Sequence, residues 1–237
     1  MFYSMRHLRD FWGIQPTDIL HVGAHKAEEL EDYLSVGCEH IFWVEAQPAC
    51  IADLRTRLDP KINTVIAGAA WSEDGAELKL NIASNSESSS LYDFGTHSKT
   101  YPGISYNKTL VVKSCKLDSV IPKSSKIDFV NLDIQGAELN ALKGFSAGIP
   151  GVKWIYCEVN AISVYEGCSV IVEIDHYLKG FGFNRKSVRW WKNDGWGDAI
   201  YIHKSVEIPK GFNIGAKRIA TQVFWNLKNA IRILLKR

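Results

Sequence analysis

Five short apolar runs recur along the chain, each with a glycine, an alanine or a carboxylate in its last two positions before a helical pattern or polar loop begins. They are DILHVGA (18–24), HIFWVEA (40–46), NTVIAGAA (63–70), IDFVNLDI (127–134) and KWIYCEV (153–159). Runs this short and this continuously apolar read as strands buried on both faces, the pattern of a parallel sheet. Periodicity predicts helices over 27–36, 48–58, 137–145 and 170–179, with Gly37 as a C-terminal cap and Pro48 in a first turn. Further strands are predicted over 77–83 and 109–115, and a closing hairpin over 184–191 and 198–203. This β-α-β-α-β series, without internal repeats, argues an α/β domain whose parallel sheet carries helices on both faces. Its 237 residues suit a single domain. Between 84 and 108 the regularity fails: the segment is polar, serine-rich and contains Pro102 and Gly103, which suits a lid or substrate loop.

The remaining composition is informative by segment. The five cysteines are odd in number and lack C-x-x-C spacing, so neither a disulfide framework nor a zinc ribbon is expected. The N-terminus lacks the apolar stretch of a signal peptide, and no run reaches the length of a membrane span, so a cytoplasmic location is expected. The net charge of +2 conceals an asymmetry. Seven basic and no acidic residues lie in 208–237, leaving 21 basic against 26 acidic in the body of the chain, 1–207. Ile219, Val223, Leu227, Ile231 and Leu234 recur there at helical spacing, predicting a basic amphipathic helix that docks on an anionic membrane surface or a partner, or packs on the sheet.

Ligands of open α/β sheets bind at the carboxyl ends of the strands. The predicted ends are Gly23-Ala24-His25, Glu45-Ala46, Ala70-Trp71-Ser72, Asp133-Ile134-Gln135-Gly136 and Glu158. Glu45 follows Gly23 by 22 residues, about the separation between a glycine turn and a ribose-binding acid. A dinucleotide fingerprint would need glycine at position 25, where histidine stands. A cofactor with a ribose and no pyrophosphate fits better, which points to S-adenosyl-L-methionine. Plainer readings compete. Gly23 also suits a tight turn, Asp133 a helix N-cap, and Glu138 a first-turn acid favoured by the helix dipole.

These residues resemble the FkbM-type methyltransferases, which are S-adenosylmethionine-dependent. The resemblance is carried by ILHVGAHKAEE (19–29), FWVEAQP (42–48), AGAAWSEDG (67–75), SSSLYDF (88–94) and IDFVNLDIQGAELNALKG (127–144). Glu158, GFGF (180–183) and GWGDAIYI (195–202) extend it. The most specific part, LDIQGAELNALKG, is similar to the family's D-x-E-G-x-E-x-x-x-L-x-G signature. The family commonly has Asp at His21, Asn at His25, Gly at Ala27 and Glu at Gln135.

The resemblance implies the class I methyltransferase fold, a Rossmann-like three-layer sandwich with a seven-stranded, mostly parallel sheet and an antiparallel final hairpin. It also implies O-methylation of a hydroxyl on a glycan or small hydroxylated metabolite. The cofactor residues expected are His21, Gly23, Ala24, His25, Glu45, Ala46, Ala70, Trp71 and Asp133, with the glycine turn at the methionine end, Glu45 at the ribose and 70–72 near the adenine. Asp133 is the expected catalytic acid or base, supported by Glu138 and Glu158, with His21 and His25 as rival bases. The spacing of these acids is not a metal signature, and no metal is expected. The segment 84–108 and RWWKNDGWGD (189–198) are expected to shape the acceptor site. Two alternatives are an RNA ribose 2′-O-methyltransferase, against which the acidic body argues, and a membrane-attached binding module without catalysis.

Overall fold

A computed structural model of the chain describes residues 1–192 and 194–208. In chain order the elements are α1 (Met5–Trp12), β1 (Asp18–Val22), α2 (Leu30–Leu34), β2 (His40–Glu45), α3 (Pro48–Arg57), β3 (Asn63–Ala67), β4 (Ala69–Ala70) and β5 (Glu77–Ala83). They continue with α4 (His97–Thr100), β6 (Tyr106–Cys115), α5 (Leu117–Val120), β7 (Ile127–Leu132), α6 (Glu138–Gly144), β8 (Trp154–Asn160), α7 (Ile171–Gly180), β9 (Phe183–Trp190) and β10 (Trp196–His203).

Seven strands form one sheet in the order β3-β2-β1-β7-β8-β10-β9. Strands β3, β2, β1, β7 and β8 are parallel, and β10 runs antiparallel between β8 and β9. This is the mostly parallel sheet with an antiparallel final hairpin of the class I methyltransferase fold. The strand order reverses between β1 and β7, so the ligand crevice of such a sheet opens at their carboxyl ends.

Alternate strand residues feed two cores, one on each face, which makes the fold a three-layer sandwich. Leu20, Val22, Val130, Leu132, Ile155 and Cys157 pack with Leu142 of α6, Phe145 just beyond it, and Ile174 and Leu178 of α7. Ile19, Ile41, Trp43, Phe129 and Tyr156 face the other way, against Met5 and Leu8 of α1, Tyr33 of α2 and Leu54 of α3. A small second sheet, β4-β6-β5, packs at the strand ends.

Several expectations are corrected. The helix predicted over 27–36 shrinks to α2, because His25 and Ala27 adopt positive φ of 43° and 53°, which no right-handed helix passes through. The third apolar run is two strands rather than one: β3 ends at Ala67, and after Gly68 the chain joins β4 of the second sheet. The segment 84–108 is not structureless. It holds a 3-10 turn at Ser86–Ser88, isolated bridges Asn81–Ser90 and Phe94–Tyr165, helix α4 and the start of β6. Helix α1 was not foreseen, although Ser4 caps it by accepting from the His7 N–H at 3.2 Å and Gly13 ends it at φ 67°.

The five cysteines are free thiols. Among the described residues, no helix is long and apolar enough to cross a membrane. The predicted basic helix of 208–237 lies outside the described residues, apart from Ile208.

Candidate active site

The site begins with a backbone constraint. Gly23 follows β1 at φ 95°, and its N–H donates to Val44 O at 2.9 Å. A Cβ at this position would fall 1.9 Å from Asp133 O, the first residue after β7. Asp133 N–H in turn donates to Val22 O at 3.0 Å. The ends of the two strands at the switch point therefore touch, and only glycine permits it.

Glu45, at the end of β2, ties the next loop to this point. Its Oε2 accepts from the His25 N–H at 2.7 Å, and its Oε1 accepts from the Ala46 and Gln47 N–H groups, both at 2.7 Å. The carboxylate is thus held rigid by three backbone donors at 6% exposure. A carboxylate has about four acceptor positions, so one remains open for a ligand hydroxyl.

The third part is an acid pair bridged by an amide. Gln135 Nε2 donates to Asp133 Oδ1 at 2.9 Å and to Glu158 Oε2 at 3.0 Å. Tyr165 donates its hydroxyl to Gln135 Oε1, which fixes the amide with its nitrogen toward the acids. Ser90 Oγ, from the 84–108 segment, donates to Gln135 O at 2.7 Å and steadies the φ of 53° at this residue. Asp133 is exposed and Glu158 is buried. Burial, reinforced by the charges of Asp133, Glu138 and Asp198, pushes the Glu158 carboxyl well above its ordinary pKa. Asp198 lies opposite Glu158 in the β8–β10 register, and burial raises it to about 6.

Two clefts meet at Asp133. A narrow one is lined by Gly23, His25, Glu45, Ala46, Ala70 and Asp133, among others. A wide one is lined by His21, His25, Asp133, Glu158 and Asp198 together with the aromatic residues Phe2, Tyr101, Trp191 and Trp196. Gly23, His25, Glu87, Asp133 and Gln135 belong to both.

Three of the residues expected in the site line neither cleft. Ala24 points into the core at 1% exposure and offers only its backbone. The Trp71 carbonyl lies against Gly144, where a Cβ would meet it at 2.0 Å, and its ring tilts onto Tyr92. Glu138 is fully buried, and its Oε1 accepts from the Ile134 N–H at 3.1 Å and the Gly136 N–H at 3.0 Å, while Oε2 has no partner. Burial raises its pKa to about 7. Glu138 is a brace beneath the acid pair and does not touch the clefts. His21 reaches the wide cleft from a buried network in which its Nδ1 lies 2.9 Å from the Tyr33 hydroxyl and its ring packs on Trp43. Burial lowers its pKa against the pull of Glu29, so the imidazole is neutral at pH 7. His25 Nδ1 meets Glu28 Oε1 at 2.9 Å and Nε2 meets Ser86 Oγ at 2.8 Å.

Sequence reasoning missed Tyr165 and Asp198 as site residues. Asp198 stood inside the quoted GWGDAIYI segment, a signal that could have found it. Tyr165 had none.

A family model described as the methyltransferase FkbM domain matches residues 21–185. The chain belongs to the FkbM methyltransferase family. In structure the FkbM domain is similar to a methyltransferase FkbM from Methylobacillus flagellatus KT, at 16% identity and a TM-score of 0.54, over 80% of this chain and 44% of that one. The chain thus spans under half the length of that protein. It is also similar to an uncharacterized protein from Listeria monocytogenes serotype 4b, at 11% identity and a TM-score of 0.50, over 88% of this chain and 71% of that one. At these identities the likenesses show the fold. No curated protein matches the chain in sequence.

Proposed function

We propose that this FkbM domain transfers the methyl group of S-adenosylmethionine to a hydroxyl oxygen of a glycan or small hydroxylated metabolite. The observation that carries this reading is the place of Asp133, at the seam of the two clefts and held by Gln135 beside Glu158. The narrow cleft fits the cofactor: it joins the rigid Glu45 carboxylate to a glycine turn and the small residues Gly68, Ala69 and Ala70. When bound, S-adenosylmethionine supplies a methyl group on a sulfonium, which leaves by in-line displacement.

The chain's own residues do the rest. Glu45 would accept from a ribose hydroxyl at its one open position, and the backbone around Gly23 and His25 would receive the methionine end. Asp133 Oδ1 is engaged by Gln135, which leaves Oδ2 to take the proton of the acceptor hydroxyl. Burial raises the pKa of Glu158, so that carboxyl keeps its own proton and does not compete for the proton of the acceptor hydroxyl. Among the described residues the wide cleft is lined by six acidic side chains (Glu28, Glu29, Glu87, Asp133, Glu158 and Asp198) and by no lysine or arginine side chain. Such a wall repels a phosphodiester and supports a neutral acceptor. Trp191 and Trp196, stacked at 5.8 Å between centroids, offer the aromatic faces on which sugar rings pack.

The test is transfer from cofactor labelled in its methyl group into glycan, small-molecule and RNA fractions of a cell extract. Label in the glycan or small-molecule fraction supports the reading; label in RNA alone, or in none, overturns it. For the tail, docking of 208–237 on an anionic membrane is part of the same proposal. The full chain should float with phosphatidylserine liposomes and a chain ending at Ser205 should not; equal flotation defeats membrane docking.

A further inference from the structure

His97 opens α4, inside the segment 84–108, and is 5% exposed. Its ring lies face to face with Phe94, 4.3 Å between centroids at 8°, and stacks at 5.5 Å on Tyr165. Its backbone N–H donates to Val164 O at 3.1 Å, so ring and main chain are both fixed. The residue lines the wide cleft with Tyr101, Asp133 and Glu158. Tyr165 connects it to the acid pair, since the hydroxyl of that ring orients Gln135. The mechanism above makes no use of His97.

Its Nδ1 is buried and has no hydrogen-bond partner. A neutral imidazole carries a hydrogen on one nitrogen and a lone pair on the other. A buried, unpaired N–H is tolerated less well than an unpaired acceptor, so the hydrogen belongs on Nε2. Burial also pushes the His97 pKa down, which keeps the ring neutral at pH 7. A rigid, neutral ring with its buried nitrogen unable to donate has one polar function left, a donor at Nε2.

We propose that His97 is an acceptor-recognition residue, whose Nε2–H donates to an oxygen of the bound acceptor other than the oxygen that is methylated. The wide cleft then reads two positions of one polyhydroxylated molecule, the reacting hydroxyl through Asp133 and a second oxygen through His97. The proposal rests on the O-methyltransferase reading and narrows its substrate class to acceptors with at least two oxygens in reach.

Two measurements test it. In protein labelled with ¹⁵N-histidine, a long-range ¹H–¹⁵N correlation at pH 7 should show His97 neutral with hydrogen on Nε2, the signal being assigned by its loss in His97→Gln. A ring that is charged or carries its hydrogen on Nδ1 overturns the proposal. The second uses methyl transfer into whichever extract fraction the wild-type protein labels, serially diluted. His97→Phe keeps the stack and should need a roughly tenfold higher half-saturating concentration, the loss of one hydrogen bond, with cofactor affinity by calorimetry unchanged. His97→Gln, whose amide can reach the Nε2 position, should recover most of the loss, and His97→Asn, which reaches only Nδ1, should not. An unchanged dilution curve for His97→Phe, or equal rescue by both amides, defeats the role of His97. No label with the wild-type protein defeats the methyltransferase reading itself, so the two failures are distinct.

Discussion

The side-chain amide of Gln135 donates to Glu158 Oε2 at 3.0 Å, and the same nitrogen donates to Asp133 Oδ1 at 2.9 Å. One neutral group thereby holds two acids that would otherwise repel. Placing a carboxylate at this position, as Gln135→Glu does, adds a third acid beside the pair and removes the shared donor. Both changes favour protonated acids. The acid limb of the pH–rate profile should move to higher pH in this variant. A profile that coincides with wild type would show that the bridge does not tune the base.

Asp133 is assigned the acceptor proton because it is the exposed member of the pair and belongs to both clefts. Asp133→Asn preserves shape and removes the basic oxygen. Turnover should fall by a factor of roughly 10²–10⁴, the range for loss of a general base, while calorimetry shows nearly unchanged cofactor affinity. Wild-type turnover in this variant would remove Asp133 from the mechanism.

Glu45 carries two duties. It ties together the backbone of His25, Ala46 and Gln47, and it presents the remaining acceptor position to the narrow cleft. Glu45→Gln turns one of its acceptor atoms into a donor, which conflicts with a backbone N–H and with a ribose hydroxyl. Cofactor affinity should weaken by roughly ten- to a hundredfold, the worth of a hydrogen bond to a charged group. Isothermal titration measures this without any acceptor.

How far these relationships could be read from the sequence depended on where their causes lie. Runs such as IDFVNLDI declare buried strands because they are short and mostly apolar, with Asp128 and Asn131 the polar residues before the closing Asp133, and the 22-residue step from Gly23 to Glu45 follows from one β-α-β passage. The small second sheet was hidden because β4 continues the apolar run of β3 without a break in composition, and only the turn at Gly68 separates them. Glu138 and Glu158 look alike in sequence, since each is an acid beside apolar residues. Packing alone sends one beneath the loop at 134–136 and the other into the wide cleft. Tyr165 lies in a loop and His97 in the short helix α4, both positioned by contacts across the fold such as the Phe94–Tyr165 bridge, and no local pattern announces them.

Glu138 gives a prediction about stability instead of turnover. Its pKa in the folded protein is about 7, raised by burial from an ordinary 4.5. Between these values the folded chain keeps a proton that the unfolded chain releases, so unfolding is favoured as pH rises. The stabilisation from the protonated carboxyl is complete below about 4.5 and lost as pH passes through about 7. Glu138→Gln retains an oxygen for the Ile134 and Gly136 N–H groups and cannot ionise. Urea unfolding should therefore show a smaller loss of stability from pH 5 to pH 8 than in wild type. The slope should not vanish, because Asp198 and Glu158 are raised in the same way. Glu138→Ala removes the acceptor of both N–H groups and should cost about 1–3 kcal/mol at either pH, the penalty for buried donors left unpaired. If Glu138→Gln keeps the full wild-type slope, the proton taken up on folding resides on another member of the cluster.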